Sequence, residues 1–415
     1  MKNNLIKLAV VLSIGFISFS SFGQNTDSPY SSYGYGLLRD NVTSTQRQMG
    51  GIGYAMSSGR QINVMNPASY SRIDSLTFLF DMGADASFIR RSDGDVKENQ
   101  AGGGLDYITL QFPISRRIGM SIGILPYSSV GYAFGSEIDN GSTQHSGTGG
   151  LNEIYAGISG NLFKGFSVGA NISYLFGSIT NDIYALTDGS TSVFEQTLSV
   201  RDWDIRIGAQ YSLPISKKET IGIGAIFSPG KDLLGDAQVV KYAFETSSNT
   251  IKPDTVADVR MKNGFSTAST FGVGINYQRG TKLLVEADFT YQPWSKAKFE
   301  KLSDFPATRF ANRYKVALGG QFRPKERGSY FENVTYRAGV SYNRDYVMAG
   351  SNNIGEWTVA CGVGLPTLST KTIINVGLEY KHRQATPNPL VKENYFSLTV
   401  GINFNELWFF KRKID

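Results

Sequence analysis

The chain holds two histidines, His145 and His382, and one cysteine, Cys361. Covalent acyl transfer needs a nucleophile with a base placed beside it, usually histidine. Both histidines fall in stretches read as external loops, so no enzyme is expected. Two histidines and one cysteine cannot furnish a structural zinc set, and a single thiol closes no disulfide within the chain. Asp93, Gly94 and Asp95 form a fragment of a calcium loop without its other ligands, and a loop turn explains them. Gly222, Gly224, Gly272 and Gly274 alternate within strand-like runs rather than between a strand and a helix, so they suit close packing and twist, not a nucleotide phosphate. No catalytic residue, metal ligand or cofactor is assigned. What remains is charge placed on strands. Glu286 and Asp288 lie on one run and Arg313 and Lys315 on the next, within reach of cross-strand ion pairs that stiffen a wall and hold whatever lies against it.

The elements that carry those charges have an unusual polarity. Tyr395 to Phe404 alternates apolar with small or polar residues, and the pattern returns about fourteen times between Leu76 and Phe404. Each run is roughly 10 residues, the length a tilted strand needs to cross a bilayer. One face is apolar throughout: Phe78, Phe80 and Met82; Ile118, Met120, Ile122 and Ile124; Val273, Ile275 and Tyr277; Val285, Ala287 and Phe289. None of these positions is charged, and a Lys or Arg at the bilayer midplane costs about 2 to 4 kcal/mol. Asp81, Asp85, Glu153, Asp202, Asp204, Arg206, Glu286, Asp288, Arg313, Lys315, Arg337 and Glu379 occupy the alternate register instead. A soluble sandwich would not bury such residues. The fold class is therefore all-β, a transmembrane antiparallel β-barrel of about 14 strands, greasy outside and wet inside.

The remaining composition agrees. Lys2 and Lys7 flank an apolar run from Leu8 to Phe19, and Ser21 and Gly23 precede Gln24, as in a secretory signal peptide cleaved after Gly23. No later apolar stretch approaches the 18 residues of a membrane helix. Loss of Lys2 and Lys7 lowers the net charge from +6 to +4, too weak an excess to argue for nucleic acid. Residues 24–74 lack strand periodicity, are rich in Gly, Ser, Asn and Tyr, and are expected to fold inside the barrel as a hatch. Residues 75–405 make the barrel and residues 406–415 a periplasmic basic tail. Short turns such as Pro113–Arg117 and Phe163–Gly165 alternate with longer loops, among them a long external segment from Pro229 to about Lys262, which places the turns in the periplasm and the loops outside the cell. The third strand, Ile118 to about Phe134, is expected to keep even-numbered residues outward, with Val130, Tyr132 and Phe134 resuming the apolar register after Pro126.

Within the internal segment, Gln48-Met49-Gly50-Gly51-Ile52-Gly53-Tyr54-Ala55 followed by Asn66-Pro67-Ala68 resembles the hatch of the long-chain fatty acid transporter (FadL) family. Pro113-Ile114-Ser115 through Gly131, and Phe271-Gly272-Val273-Gly274 through Trp294-Ser295, are similar to that family as well. The opening Ser28-Pro29-Tyr30-Ser31-Ser32-Tyr33-Gly34 is similar to other relatives rather than to the transporters themselves. The resemblance implies a 14-stranded barrel with an N-terminal hatch and a sideways exit through a gap in the third strand. On that reading Asn66, Pro67 and Ala68 form the hatch motif, Pro126 and Gly131 bound a lateral gate, and Tyr30, Tyr33, Tyr35 and Leu37 line a ligand pocket. The simpler readings are a fixed turn, a strand bending as it leaves the membrane, and a plug packed against the wall.

The expected function is passive outer-membrane transport of a hydrophobic, fatty-acid-like molecule in a Gram-negative cell. Its partners would be outer-membrane lipids and a hydrophobic small-molecule ligand. The alternative is a non-transport partner barrel in an outer-membrane protein secretion or assembly complex, which adds another outer-membrane or surface protein as partner.

Overall fold

The computed structural model describes residues 28–138, 141–187, 190–245, 253–300, 308–325, 328–367 and 371–407. The expected signal peptide, and the tail beyond residue 407, lie outside the described residues.

A strand that must cross hydrocarbon cannot leave backbone N–H and C=O groups unmet, and closing the sheet on itself is how strands achieve this. Fourteen antiparallel strands do so here. The first seven are β2 (Thr77–Asp93), β3 (Val96–Pro113), β4 (Ile118–Ile138), β5 (Gly141–Phe163), β6 (Phe166–Thr187), β7 (Ser190–Pro214) and β8 (Glu219–Ser228). The other seven are β11 (Thr270–Arg279), β12 (Leu283–Gln292), β13 (Arg313–Phe322), β14 (Thr335–Ala349), β15 (Asn352–Pro366), β16 (Ile373–Thr386) and β17 (Lys392–Leu407). β8 pairs with β11 from Ser228↔Thr270 to Glu219↔Arg279. β17 returns to β2 from Lys392↔Ser92 to Leu407↔Thr77, which closes the barrel.

The two-faced pattern is realised strand by strand. On β12, Glu286 and Asp288 are buried in the lumen while Val285 and Phe289 face outward at 42% and 44% exposure. Outward residues from Phe80 to Phe404 form the lipid-facing band, and aromatic pairs such as Phe227 with Phe271 (5.1 Å) and Tyr342 with Trp357 (4.8 Å) brace adjacent strands.

Strands β5, β6 and β7 are 23, 22 and 25 residues long, far beyond what a bilayer requires. Their outer halves continue as a sheet beyond the membrane. β9 (Gly235–Glu245) pairs with β7 from Val200↔Gly235 outward, and β10 (Pro253–Lys262) pairs with β9. The loop expected over Pro229 to Lys262 is thus largely strand.

Residues 28–73 are largely buried and are hydrogen-bonded and ion-paired to lumen-facing side chains of the strands. A 3-10 turn at Pro29–Ser32 leads to the two-residue strand β1 (Leu37–Leu38), a short helix α1 (Ser44–Arg47) and a second 3-10 turn at Pro67–Arg72. α1 is closed at its start by a capping box, the Thr43 N–H donating to the Gln46 side chain at 2.9 Å. At the end of the barrel where the β12–β13 connection lies, Tyr35 of this segment sits among Trp294, Phe299 and Phe310, and Trp294 packs tilted against Tyr346 at 4.5 Å. Each such ring removed from water contributes about 1.5 to 3 kcal/mol, so the segment is held by a core of its own rather than draped through a channel.

Candidate functional site

The wall is interrupted beside β4. Its ladder with β3 runs only from Ile108↔Ile124 to Pro113↔Gly119. β4 continues against β5 as far as Ile138↔Gly141, and β3 continues against β2 as far as Asp93↔Val96. Pro126 follows just past the last β3 pair. It has no N–H to offer a ladder, and a β-bulge lies between it and Ser128. A bulge inserts one residue, so every later side chain takes the opposite face. Val130 and Tyr132, expected to face lipid, are instead buried in the internal aromatic core at 3% and 7% exposure. The expectation of an even-numbered outward register beyond Pro126 is corrected on that ground.

The internal segment occupies the edge that β3 leaves. β1 pairs with β4 antiparallel, Leu37↔Ser129 and Leu38↔Ser128. The Arg39 N–H donates to the Tyr127 carbonyl at 2.9 Å, and the Ser28 N–H donates to the Gly131 carbonyl at 2.7 Å. The Gly131 N–H donates in turn to the Ser31 hydroxyl oxygen at 3.1 Å. Gly36 makes the approach feasible: its φ is +79°, and a Cβ there would lie 2.4 Å from the Ser129 carbonyl oxygen. Pro126 and Gly131 therefore sit on a real interruption, and Gly131 is covered by backbone from within.

Charge fixes the same segment from the other side. Arg39 reaches Asp106 of β3 at 3.4 Å, and Arg47 reaches Asp106 at 2.6 Å, Glu379 at 3.4 Å and Asp85 at 3.7 Å. Burial acts against the Arg47 charge, but Asp106, Glu379 and Asp85 outweigh it and hold the guanidinium protonated well beyond its ordinary range. Asp40 receives Lys315 at 2.6 Å and Arg313 at 2.9 Å. The expected cross-strand pairs of Arg313 and Lys315 with Glu286 and Asp288 do not form. Asp288 accepts the Gly53 and Tyr54 N–H groups at 2.7 and 3.0 Å, and Glu286 accepts the Ala55 N–H at 2.9 Å. The sheet stagger sets Lys315 opposite Thr290 rather than a carboxylate, so the wall charges bind the internal segment instead of each other.

Burial raises the Asp40 carboxyl, but Lys315 and then Arg313 overcome it and hold it well below the usual carboxylate range. A depressed folded pKa contributes stability that is present above the unfolded value of about 3.9 and is lost only as pH falls through the folded value. The share of amide-exchange protection over residues 37–47 that depends on Asp40, the difference between the unmutated protein and Asp40→Asn after correction for the intrinsic rate, is therefore expected to be equal at pH 7 and pH 4.5. A difference that vanishes on approach to pH 4.5 would contradict the assignment.

Asn66, Pro67 and Ala68 come together as a capped turn. The Asn66 side-chain oxygen accepts the Ala68 N–H at 3.0 Å, and its amide donates to the Tyr54 carbonyl at 2.7 Å and the Ala209 carbonyl at 3.2 Å. Asn66→Ala is expected to cost on the order of 1 to 3 kcal/mol locally, read as faster amide exchange over residues 66–72 with an unaltered barrel. Tyr30, Tyr35 and Leu37 are packed in the aromatic core. Tyr33 is half-buried and lines a cavity of about 250 Å³ with Tyr132, Phe134 and Phe265. Two cavities deeper in the lumen measure about 100 and 110 Å³ and are lined by charged residues, among them Arg39, Asp40 and Arg313.

His145 stacks on Phe134 at 5.2 Å, and His382 Nδ1 lies 2.9 Å from the Asn394 side-chain oxygen. Neither adjoins a nucleophile. Among the described residues no group of three or more His, Cys, Asp or Glu side chains could hold a metal, and no helix is long and apolar enough to cross a membrane.

A further set of residues escaped the sequence reading. A Cβ added at Gly224 would lie 1.8 Å from the Tyr54 carbonyl oxygen, at Gly119 2.0 Å from that of Tyr70, and at Gly319 2.1 Å from that of Met49. At Gly339 it would lie 2.1 Å from the Met49 carbonyl carbon. These lumen-facing glycines are seats for the internal backbone. Their signal was the glycine alternation inside strands, whose purpose shows only when the segment is in place.

Solved structures share this architecture. A Pseudomonas aeruginosa FadL homologue matches at 11% identity over 89% of this chain and 99% of its own, with a TM-score of 0.63. The Pseudomonas putida toluene transporter TodX matches at 13% identity over 90% and 100%, with a TM-score of 0.62. The CymD monoaromatic hydrocarbon channel matches at 15% identity over 88% and 97%, with a TM-score of 0.58. The barrel expected from the FadL resemblance is thus the barrel observed, at identities that speak for the fold alone. No curated protein matches the sequence. A family model described as BamG matches residues 5–415, almost the whole length, and the chain is a member of the BamG family.

Proposed function

We propose that this chain is an outer-membrane barrel of a Gram-negative bacterium that works as a non-conducting partner of another membrane protein. The observation that supports this most is the occupied gap. The internal segment takes the β4 edge with its own backbone, and its cations engage the β3 and lumen carboxylates. A conduit for apolar molecules favours an apolar path, whereas the deep cavities here measure about 100 and 110 Å³ and carry charged side chains, Arg39, Asp40, Arg313 and Lys315, among their apolar ones. The long outer strands β5 to β7 with β9 and β10 offer a rigid platform outside the membrane.

A second reading has one specific observation in its favour. The cavity beside Tyr33 is walled by Tyr132, Phe134 and Phe265, and lies on the extracellular side of the interrupted ladder. In that reading a small hydrophobic, fatty-acid-like molecule enters there, the hatch at Asn66, Pro67 and Ala68 shifts, and the molecule leaves sideways between Pro126 and Gly131. The structural similarity to the CymD monoaromatic hydrocarbon channel and the toluene transporter TodX favours it.

Reconstitution separates the two. Proteoliposomes containing the purified barrel are expected to take up toluene and a fluorescent fatty acid no faster than empty liposomes. Uptake that is saturable and several-fold faster would support the conduit and overturn the partner reading.

A further inference from the structure

The gap has two edges, and the described residues of the internal segment cover one. β4 is met by β1, whereas among the described residues β3 from Ala101 to Leu105 has its ladder with β2 alone. This stretch lies at membrane depth. Its ladder partners Ala84, Ala86 and Phe88 stand on the outward face, and Phe88 and Ala86 are in turn opposite Phe396 and Leu398. A strand edge in hydrocarbon presents backbone donors and acceptors that lipid cannot satisfy. Arg39 and Arg47 meet the Asp106 side chain of β3, not this backbone.

The chemistry of the edge says what fits it. Ala101, Gly102, Gly103 and Gly104 supply backbone and almost no side-chain bulk. Next to them, on the lipid-facing wall, is an apolar hollow of about 620 Å³ floored by Ala86 and Gly103 and rimmed by Phe88, Leu378, Phe396 and Leu398. We infer that the β3 edge is a strand-addition site. It takes an extended strand from a different membrane-embedded protein, apolar on alternate residues, whose adjoining surface fills the hollow. A second copy of this chain is the poorer occupant. Two β3 edges paired about a twofold axis would set glycine against glycine and bury little side-chain area, and strand addition gains its specificity from alternate side chains. The inference rests on the partner-barrel reading and adds to it the place and the mode of contact.

Amide hydrogen exchange tests it on the full-length protein, in the complex extracted from native membranes in mild detergent and as the barrel dissociated from that complex. A peptide spanning residues 99–106 is expected to exchange on the order of tenfold more slowly in the complex, as newly hydrogen-bonded amides do. A peptide spanning β12 and β13 on the far wall should be unchanged. A stoichiometric partner with equal exchange over 99–106 in both states would overturn the strand-addition site and leave the partner reading standing. Protection of 99–106 in a homodimer would overturn the heterologous occupant. A barrel that extracts as a lone chain with an unprotected edge would overturn both.

Discussion

In the double variant Gly224→Val with Gly339→Val, the internal segment leaves the lumen while the barrel stays folded. At both positions the added Cβ meets backbone, the Tyr54 carbonyl oxygen at 1.8 Å and the Met49 carbonyl carbon at 2.1 Å, so no side chain can swing aside. Valine is itself a favourable strand residue, and the ladders of β8 with β11 and of β13 with β14 have no reason to part. Overpacking costs about 1 to 3 kcal/mol per site. Two sites together multiply the displaced population by about thirtyfold or more. Trypsin should then cut at Arg60, an exposed arginine of the segment, about thirtyfold faster, while heat-modifiable gel migration reports an intact barrel. Gly160→Val, where nothing apart from chain neighbours lies within 3.9 Å of the added carbon, serves as the control. Unchanged cleavage in the double variant would show that the segment is not seated on these glycines.

Arg47→Met is expected to loosen the segment by another route. The guanidinium is 15% exposed and holds Asp106, Glu379 and Asp85 together. Removing it leaves Asp106 with Arg39 alone at 3.4 Å, Glu379 with Lys381 alone at 4.0 Å, and Asp85 with no cation among the described ion pairs, and breaking a buried pair on one side costs about 3 to 5 kcal/mol. Arg47→Lys should recover only part of this, because an ammonium cannot reproduce the planar fork that reaches three partners. Adding Asp106→Asn to Arg47→Met should return stability, since it removes the carboxylate nearest the missing charge. The midpoint of thermal release of the segment, followed by exchange over residues 44–49, is measured for the unmutated protein, Arg47→Met, Arg47→Lys, Asp106→Asn and the double variant. If the double variant is as destabilised as the sum of its parts, the coupling between Arg47 and Asp106 is absent.

The barrel was legible because its signal is local. Alternation along β12 or β17 is a two-residue pattern, and one strand read alone gives the same answer that its neighbours impose. The lumen charges were legible for the same reason, down to the face that Asp81 or Arg337 takes. Their partners were not. Whether Lys315 meets Asp288 or Asp40 depends on the stagger of β12 against β13 and on where residue 40 travels inside the barrel. The bulge after Pro126 was illegible in a similar way. Proline announced an interruption, but the inserted residue reverses Val130 and Tyr132, and only the observed pairing with β5 reveals it. The strands β9 and β10 lacked a lipid-facing alternation because they stand outside the membrane, so they read as loop. Tyr30, Tyr35 and Leu37 fitted a pocket and a packed plug equally well by composition. The geometry packs them, with Tyr35 against Trp294 and Phe310.

The occupied gap also bears on the difference between fold and use. On the lateral-exit reading, a 14-stranded wall with an interruption at its third strand releases a small molecule when the edge behind it is free to move. It can equally hold a neighbour when that edge is tied down. Here the β4 edge is tied by Leu37, Leu38, Arg39, Ser28 and Ser31, and among the described residues β3 from Ala101 to Leu105 pairs with β2 alone.

The most direct measurement is native mass spectrometry of the full-length protein drawn from its own outer membrane in mild detergent. The account predicts a stoichiometric complex with a different membrane protein and no discrete small ligand in the barrel. A monomer holding an apolar small molecule of defined mass would contradict it and make the chain a conduit.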